Sequence, residues 1–230
     1  MPVQKARHRD KPTLAAQADR HRLYQQSVQC VESEIDFVEE TFRELRGRPA
    51  RWLREDFCGT ANTACEWVRR HRKNHAIGVD LDPEVLAWGR EHNVAALSPA
   101  ERRRIELLQG DVLKVRTRPL DAVLAMNFSY WLFMERRTLR RYFRRVREAL
   151  VDDGVLFLDA YGGYDAPREI EETTEHDGFT YVWEQASFNP VDSRMRCHIH
   201  FRFPDGSALE RAFSYEWRLW TLPELREILE

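Results

Sequence analysis

The sequence has few cysteines, little lysine and no long apolar run. The first and the last of these shortages bear on the class of protein. No apolar stretch approaches the ~20 residues that span a bilayer, which excludes a membrane-spanning helix. Residues 1–20 are polar and contain no apolar signal segment. The four cysteines form no Cys-x-x-Cys pair, which is typical of reduced thiols in the cytoplasm. We therefore expect a soluble cytoplasmic protein.

Neither sign of charge is in excess, because 36 basic side chains nearly cancel 38 acidic ones. No overall field therefore attracts the chain to nucleic acid or to a membrane surface. Only 4 of the basic residues are lysine, and this excess of arginine is more typical of genome composition than of phosphate recognition. The 230 residues are 43% apolar and 11% aromatic, which predicts one substantial core with room for an insertion.

Short apolar runs alternate with amphipathic stretches between residues 21 and 162. The predicted strands are residues 51–57, 76–80, 105–108, 120–126 and 155–160, the last after a turn at 152–154. The predicted helices are residues 24–45, 62–72, 83–91 and 135–150. This alternation predicts an α/β fold with a doubly wound, Rossmann-like, mostly parallel sheet. We interpret residues 1–20 as a mobile tail.

The pattern changes after Tyr161. Residues 165–177 are acidic and predict a loop. Three later segments alternate apolar and polar residues, which is typical of antiparallel strands, at 179–186, 194–203 and 208–219. We therefore predict an antiparallel β insert after the fifth strand, over residues 163–220, followed by a final helix at 221–230.

Three carboxylates follow successive predicted strands, where ligands bind in a doubly wound sheet. Glu55 precedes a compact turn at residues 59–61 that lets a ligand approach the backbone. Asp80 can accept both hydroxyl groups of a ribose, and Asp111 can accept the amine of adenine while Val112 packs against the ring. Each acid alone is more typical of a helix cap or a solvated loop, but their succession favours a nucleoside-containing cofactor.

A fixed order of residues follows the strands: Glu55-x-Phe57-x-Gly59-x-Ala61, then Asp80, Gly110-Asp111 and Asn127. This order resembles the class I S-adenosylmethionine-dependent methyltransferases over residues 24–160. The resemblance implies methyl transfer from S-adenosylmethionine, with Glu55 at the amino-acid end of the cofactor and Asp80 on its ribose. The family's usual glycines are absent at Phe57 and Ala61, which leaves the path of the loop open. A Rossmann dehydrogenase is disfavoured, because a GxGxxG fingerprint is lacking.

The predicted cofactor-binding residues are Tyr24, Glu55, Phe57, Gly59, Ala61, Asp80, Leu81, Asp111, Val112, Asn127 and Phe128. The resemblance also implies that the segment around Tyr24 is a lid over the cofactor.

In placement the insert resembles the small sheet of nucleotide-amino-sugar N,N-dimethyltransferases and glycine N-methyltransferases. We predict that a small organic acceptor enters between residues 127–131 and this insert. The predicted substrate-binding residues are Tyr130, Trp131, Trp183, Tyr215 and Trp217, for which packing of the insert is an equal alternative. An amine nitrogen is favoured over a hydroxyl oxygen, because an activated methyl group needs only a neutral nucleophile held in line.

Asn127 and Tyr130 are the candidate catalytic residues. Five polar side chains, Tyr130 among them, could act as bases but are more typical of packing or strand surface: Tyr130, Glu184, His198, His200 and Tyr215. The two histidines share a strand face, yet no third ligand follows at a recognisable spacing, so we expect no metal site. Cys58 has no histidine partner and predicts a buried turn residue rather than a nucleophile.

Two other classes stay open. The arginine-rich helix at residues 136–147 is compatible with a nucleic-acid-binding or nucleic-acid-modifying methyltransferase. A solvated helix face explains the same arginines. A non-catalytic cofactor-binding protein is the other class. In the family that the sequence resembles, two further strands complete the sheet, whereas here the helix at 221–230 is the last predicted element. We therefore expect a truncated core, with an open edge at residues 155–160 that favours self-association as a homodimer. A rival arrangement pairs two insert strands with that edge.

Overall fold

The computed structural model describes residues 11–230 and divides them into a parallel sheet covered by helices and a separate antiparallel sheet. The helices are α1 Leu14–Gln17, α2 Arg20–Val28, α3 Val31–Arg46, α4 Asn62–Arg70, α5 Pro83–Gly89, α6 Pro99–Arg102, α7 Arg136–Ala149 and α8 Leu222–Leu229. The strands are β1 Trp52–Asp56, β2 His75–Asp80, β3 Ile105–Gln109, β4 Leu120–Ala125, β5 Leu150–Leu158, β6 Ile170–His176, β7 Phe179–Phe188, β8 Arg194–Arg202 and β9 Ala208–Arg218.

The first sheet has five parallel strands in the order β3-β2-β1-β4-β5. The order reverses direction between β1 and β4, and ligands bind at the carboxyl ends of strands at such a switch point. Glu55 on β1 lies there, between Gly78 on β2 and Leu124 on β4. The predicted doubly wound α/β sheet is confirmed.

Helix boundaries follow the capping residues and apolar stripes that the sequence indicates. The helix before the first strand ends at Gly47, whose φ of 66° is the left-handed conformation that glycine adopts readily. Along α7 the buried side chains form one stripe of Leu139, Tyr142, Phe143 and Val146, and arginines occupy much of the rest of the helix. No helix in residues 11–230 is long and apolar enough to cross a bilayer.

The insert is a four-stranded antiparallel sheet in the order β6-β7-β8-β9. It has one strand more than predicted, because β6 lies in the acidic stretch that we interpreted as a loop. Most side chains of β6 are exposed, so the strand lacks the alternation that burial of one face produces. The rival pairing of insert strands with residues 155–160 is wrong, since β5 pairs with β4 and the insert forms its own sheet.

The predicted mobile tail needs correction in its second half, while residues 1–10 lie outside the described part. Leu14–Gln17 form a short helix that begins at Thr13, and the Leu14 amide donates to Asp205 of the insert at 2.8 Å. The predicted helix at 24–45 is two helices, separated at residues 29–30. Its apolar spacing continues through the break, so the sequence pattern does not reveal it.

The turn predicted at residues 152–154 lies within β5. Leu120 pairs with Leu150, whereas Ala122 pairs with Val155, so the register shifts across this segment and the strand contains the extra residues. Gly154 accommodates the irregularity, because a Cβ atom there would lie 2.9 Å from the Leu150 side chain.

The insert sheet and α2 pack together beside the carboxyl ends of the parallel strands. Leu23 of α2 belongs to one apolar cluster with Phe179, Ile199 and Phe201 of the insert. Trp217 at the end of β9 packs instead into the core cluster beneath the parallel sheet. The space between the two sheets is therefore lined from three sides.

Candidate active site

A cavity of about 440 Å³ opens at the carboxyl ends of β1, β2 and β4. Six of the predicted cofactor-binding residues line it: Tyr24, Glu55, Phe57, Gly59, Asp80 and Asn127. The insert contributes the β9 segment from Phe213 to Trp217. The cavity is therefore enclosed by the switch point of the parallel sheet, by α2 and by the insert.

The loop after β1 follows a left-handed path without the usual glycines. Phe57 and Ala61 both have φ of 58°, and Gly59 between them has φ of 51°. A non-glycine residue in this conformation costs about 1–2 kcal/mol. At Gly59 no atom lies within 4 Å of the position that a Cβ would occupy, which leaves the backbone open to a ligand. The loop thus follows a left-handed path that glycine adopts readily, and Phe57 and Ala61 adopt it with backbone strain.

The carboxylate of Asp80 organises this loop. Its Oδ2 atom accepts a hydrogen bond from the Gly59 amide at 2.8 Å, and its Oδ1 atom accepts one from the Asp82 amide at 3.0 Å. Each carboxylate oxygen can accept a further hydrogen bond, so the same group can still bind a pair of hydroxyl groups.

Glu55 is a buried carboxyl group on the cavity wall. The Ala64 amide at the start of α4 donates to its Oε2 atom at 2.9 Å. Burial raises the pKa of Glu55 to about 8, and the nearby Glu34 carboxylate adds to the shift. A positively charged ligand group beside Glu55 would favour the ionised form. The site is therefore electrostatically suited to an amino group.

Two hydrogen bonds fix α2 over the cavity. Asp19 caps this helix and also accepts from the Trp88 indole at 2.7 Å. The Gln25 amide donates to the Thr60 hydroxyl at 2.7 Å and so joins α2 to the loop after β1. Sequence reasoning missed these residues, although an aspartate directly before an apolar helix is a recognisable N-cap signal.

The loop after β4 is held by an acid that we had not identified. Asn127 and Phe128 both have φ of 55°, and their amides donate to Asp159 at 2.6 and 2.9 Å. Burial raises the pKa of Asp159. The signal that could have identified it is its position directly after the fifth strand, where the other functional acids also follow strands.

A second cavity of about 350 Å³ lies under the insert sheet and adjoins the first. Four residues line both cavities: Tyr24, Asn127, Tyr215 and Trp217. Two further predicted residues, Phe128 and Trp183, line only the second. The two spaces therefore meet at a boundary formed by α2, the loop after β4 and β9.

Tyr130 and Trp131 are fully buried and line neither cavity. The Tyr130 hydroxyl donates to the Asp159 carbonyl oxygen at 2.8 Å, and burial raises the pKa of Tyr130 to about 12. These positions favour packing over contact with an acceptor.

Four predicted cofactor residues line neither cavity. Asp111 caps its own turn by accepting from the Leu113 amide at 2.9 Å, while Val112 and Ala61 are buried in the core. Leu81 is 67% exposed beside Asp80. Contact of these residues with a ligand stays a prediction.

The insert histidines lie on the sheet face opposite the cavity, since Glu184 alternates with the cavity residues Trp183 and Gln185. His200 contacts both Glu184, at 2.9 Å, and Glu210. Within residues 11–230 no three His, Cys, Asp or Glu side chains converge as metal ligands.

Burial raises the pKa of Cys58 well above its usual value, which favours an unreactive thiol.

Comparison with known proteins shows which family model and which relative the sequence matches. Residues 57–154 match the family model of a methyltransferase domain. A protein of Geobacillus sp. (strain WCH70) that is named as a methyltransferase is 24% identical over 152 residues, which are 64% of this chain and 58% of that protein. The chain therefore spans less than two thirds of this relative.

Solved structures share the fold at low identity. An S-adenosylmethionine-dependent methyltransferase from Clostridium acetobutylicum has a TM-score of 0.70 at 18% identity, over 91% of this chain and 84% of that one. A sugar N-methyltransferase from Streptoalloteichus sp. has a TM-score of 0.67 at 21% identity, over 100% and 88%. An amino pentose methyltransferase from Micromonospora echinaspora has a TM-score of 0.70 at 16% identity, over 96% and 89%.

The domain match and the shared fold confirm the predicted resemblance to S-adenosylmethionine-dependent methyltransferases. The antiparallel sheet after the fifth strand is part of this likeness, because the sugar N-methyltransferase aligns over the whole chain.

Proposed function

We propose that this protein transfers a methyl group from S-adenosylmethionine to the nitrogen of a small organic acceptor. The observation that carries the proposal is the pair of adjoining cavities at the switch point, which meet at Tyr24, Asn127, Tyr215 and Trp217. The larger cavity would hold the cofactor and the aromatic one the acceptor. Residues 21–162 would then form the cofactor half and residues 163–220 the acceptor half.

The lining of the larger cavity fits S-adenosylmethionine. Asp80 at the tip of β2 would accept the ribose hydroxyls, and the open backbone at Gly59 would allow close approach. Glu55 would face the amino group of the methionine part, and a bound cation there would lower its raised pKa and favour the carboxylate. Tyr24 and α2 would form the predicted lid.

When bound, S-adenosylmethionine supplies an activated methyl group: the acceptor's lone pair forms the new bond to carbon while the methyl–sulfur bond breaks and its electrons stay on sulfur. The chain's own contribution is to hold the acceptor nitrogen in line and to exclude water. Asn127 would line this junction, with its backbone held by Asp159. The product nitrogen then releases its proton to solvent.

Nitrogen is favoured over oxygen because a hydroxyl acceptor gains more from a general base. Among the described residues, the lining of the smaller cavity contains no histidine or lysine, and its carboxylates, Asp165 and Glu172, are weaker bases than an imidazole. The insert histidines lie on the opposite face of the sheet. An amine that is deprotonated before attack needs no base of this kind.

Calorimetry with S-adenosylmethionine and S-adenosylhomocysteine tests the cofactor site. Mass spectrometry then follows methyl transfer to a panel of amines, amino sugars and phenols. We expect binding of both cofactor forms and transfer to amines before phenols. Binding without transfer to any acceptor would favour the non-catalytic alternative.

We further propose that the protein is cytoplasmic, forms a homodimer and does not act on nucleic acid. The four cysteines are free, which suits a reducing compartment. On α7, arginines 136, 145 and 147 form ion pairs with carboxylates, which lowers the charge available to a polyanion. Salt-dependent binding to RNA or DNA would instead support the nucleic-acid alternative.

A further inference from the structure

The wall of the smaller cavity is an array of aromatic rings on the insert sheet. The Tyr215 and Trp217 rings are 4.4 Å apart and nearly parallel, with planes at 23°. The ring centroid of Trp183 lies 6.1 Å from that of Trp217, and the two ring planes are at 31°. Tyr181 and Tyr161 extend the same lining. Ring faces of this kind attract cations, most of all cations with methyl groups.

The charged groups on this cavity are both acidic. Asp165 and Glu172 line it, and no lysine or arginine of the described chain does so. Asp165 forms an ion pair with Arg168 at 2.8 Å. Glu172 has no ion-pair partner within residues 11–230, and its pairing with Trp183 in the β6–β7 ladder places the two side chains on the same face. One uncompensated but solvent-exposed carboxylate therefore lies beside the aromatic wall.

The Gln185 side chain within the wall already has its hydrogen-bond partners. The Gln185 amide donates to the carbonyl oxygens of Ala166 and Arg168 at 2.8 and 2.7 Å, and its oxygen accepts from the Tyr161 hydroxyl at 3.1 Å. Gln185 thus has no amide N–H left for an anionic ligand. Phosphate recognition normally uses arginine or lysine, and neither lines this wall among the described residues.

We infer that the acceptor is a small amine that binds as a cation and carries no phosphate or other anion near its nitrogen. This inference rests on the proposed function and narrows its substrate class, against the nucleotide-linked acceptors that the insert's resemblance suggests. The bound ammonium gives its proton to solvent, and the freed lone pair forms the bond to the methyl carbon as the methyl–sulfur electrons go to sulfur. A methylated ammonium product keeps the same attraction to the rings, which permits successive transfers.

Three related probes test the inference by binding alone, without methyl transfer. Choline carries the cation, 3,3-dimethyl-1-butanol is its neutral isostere, and phosphocholine adds the phosphate. Their binding to the full chain saturated with S-adenosylhomocysteine is followed by tryptophan fluorescence. We expect choline to bind about tenfold tighter than either of the other two. Equal or tighter binding of phosphocholine would overturn the inference.

A pair of neighbouring variants locates the effect. Glu172→Gln removes the uncompensated carboxylate, whereas Glu171→Gln alters a residue on the opposite face that bonds Arg202 at 3.0 Å. We expect choline binding to weaken about three- to tenfold in E172Q and to stay unchanged in E171Q. Both variants are checked for an unchanged melting temperature. Equal choline affinity in the two variants would overturn the role of Glu172.

Failure of the inference differs from failure of the proposed function. If neither S-adenosylmethionine nor S-adenosylhomocysteine binds, the proposed function is wrong. If both bind and transfer proceeds, but to phosphorylated amines in preference to their free forms, the proposed function stands and the inference is wrong.

Discussion

The Asp80 carboxylate accepts the Gly59 amide at 2.8 Å, so the tip of β2 holds the loop that follows β1. The residue proposed to bind the ribose is therefore also the residue that shapes the cofactor loop. Asp80→Ala should weaken S-adenosylhomocysteine binding by about 1–3 kcal/mol, because ligand hydroxyls and a loop amide lose their acceptor. Calorimetry measures this loss. Asp152→Ala, at an exposed position that lines neither cavity, is the matched change, and unchanged affinity in D80A would remove Asp80 from the site.

Glu55 should couple cofactor binding to proton release. Its pKa is raised from an ordinary 4.5 to about 8, so the free protein holds this carboxyl mostly protonated at pH 7. An amino group bound beside it favours the ionised form, and binding should therefore release up to about one proton. Calorimetry in buffers of different ionisation enthalpy measures the release. Glu55→Gln should abolish it, and equal release from both proteins would contradict this role.

The raised pKa of Glu55 also makes the free energy of unfolding depend on pH. A carboxyl group with a raised folded-state pKa binds more protons in the folded chain than in the unfolded one. Its contribution therefore lowers the free energy of unfolding as pH rises from about 4.5 to about 8, and the loss is complete above that range. Denaturant unfolding of wild type and E55Q across this window measures the difference.

The left-handed path of the loop predicts two alanine-to-glycine changes of opposite sign. Ala61 has φ of 58°, so Ala61→Gly should raise the free energy of unfolding by up to about 1 kcal/mol. Ala64 lies in helix α4, where Ala64→Gly should lower it by about 1 kcal/mol. Urea unfolding measures both. A loss in A61G equal to that in A64G would show that Ala61 is not strained.

The sequence could predict the parallel sheet because β1, β2 and β4 are short buried runs, each followed by a polar turn. It could predict Asp80 and Glu55 because their positions after strands bring them to one edge of the sheet. It could not predict β6, since an exposed edge strand buries too little to show a period. Phe57 and Ala61 show the other limit: side-chain identity alone does not reveal a left-handed backbone that neighbouring hydrogen bonds impose.

The hydrogen bond between Gln25 and Thr60 should control how quickly the cofactor leaves. Gln25→Ala removes a 2.7 Å bond that joins the lid helix to the cofactor loop. One net hydrogen bond is worth about 0.5–1.5 kcal/mol, so S-adenosylhomocysteine should dissociate roughly 2- to 10-fold faster. Stopped-flow fluorescence measures the rate. Gln17→Ala is the control, because within residues 11–230 the Gln17 side chain donates to carbonyl oxygens of its own segment alone. Equal rates in both variants would exclude a lid held by Gln25.

One substitution made at two tryptophans separates packing from acceptor binding. Trp131 is fully buried in the core beneath the parallel sheet, whereas Trp183 is half-buried on the wall of the smaller cavity. Trp131→Leu should lower the free energy of unfolding by about 2–4 kcal/mol, because it leaves a core cavity. Trp183→Leu should cost less stability but reduce kcat/KM for the acceptor, with S-adenosylhomocysteine affinity retained. Urea unfolding and methyl-transfer kinetics measure both variants. If W183L lost stability and turnover in parallel, as W131L should, the aromatic wall would pack the insert rather than bind an acceptor.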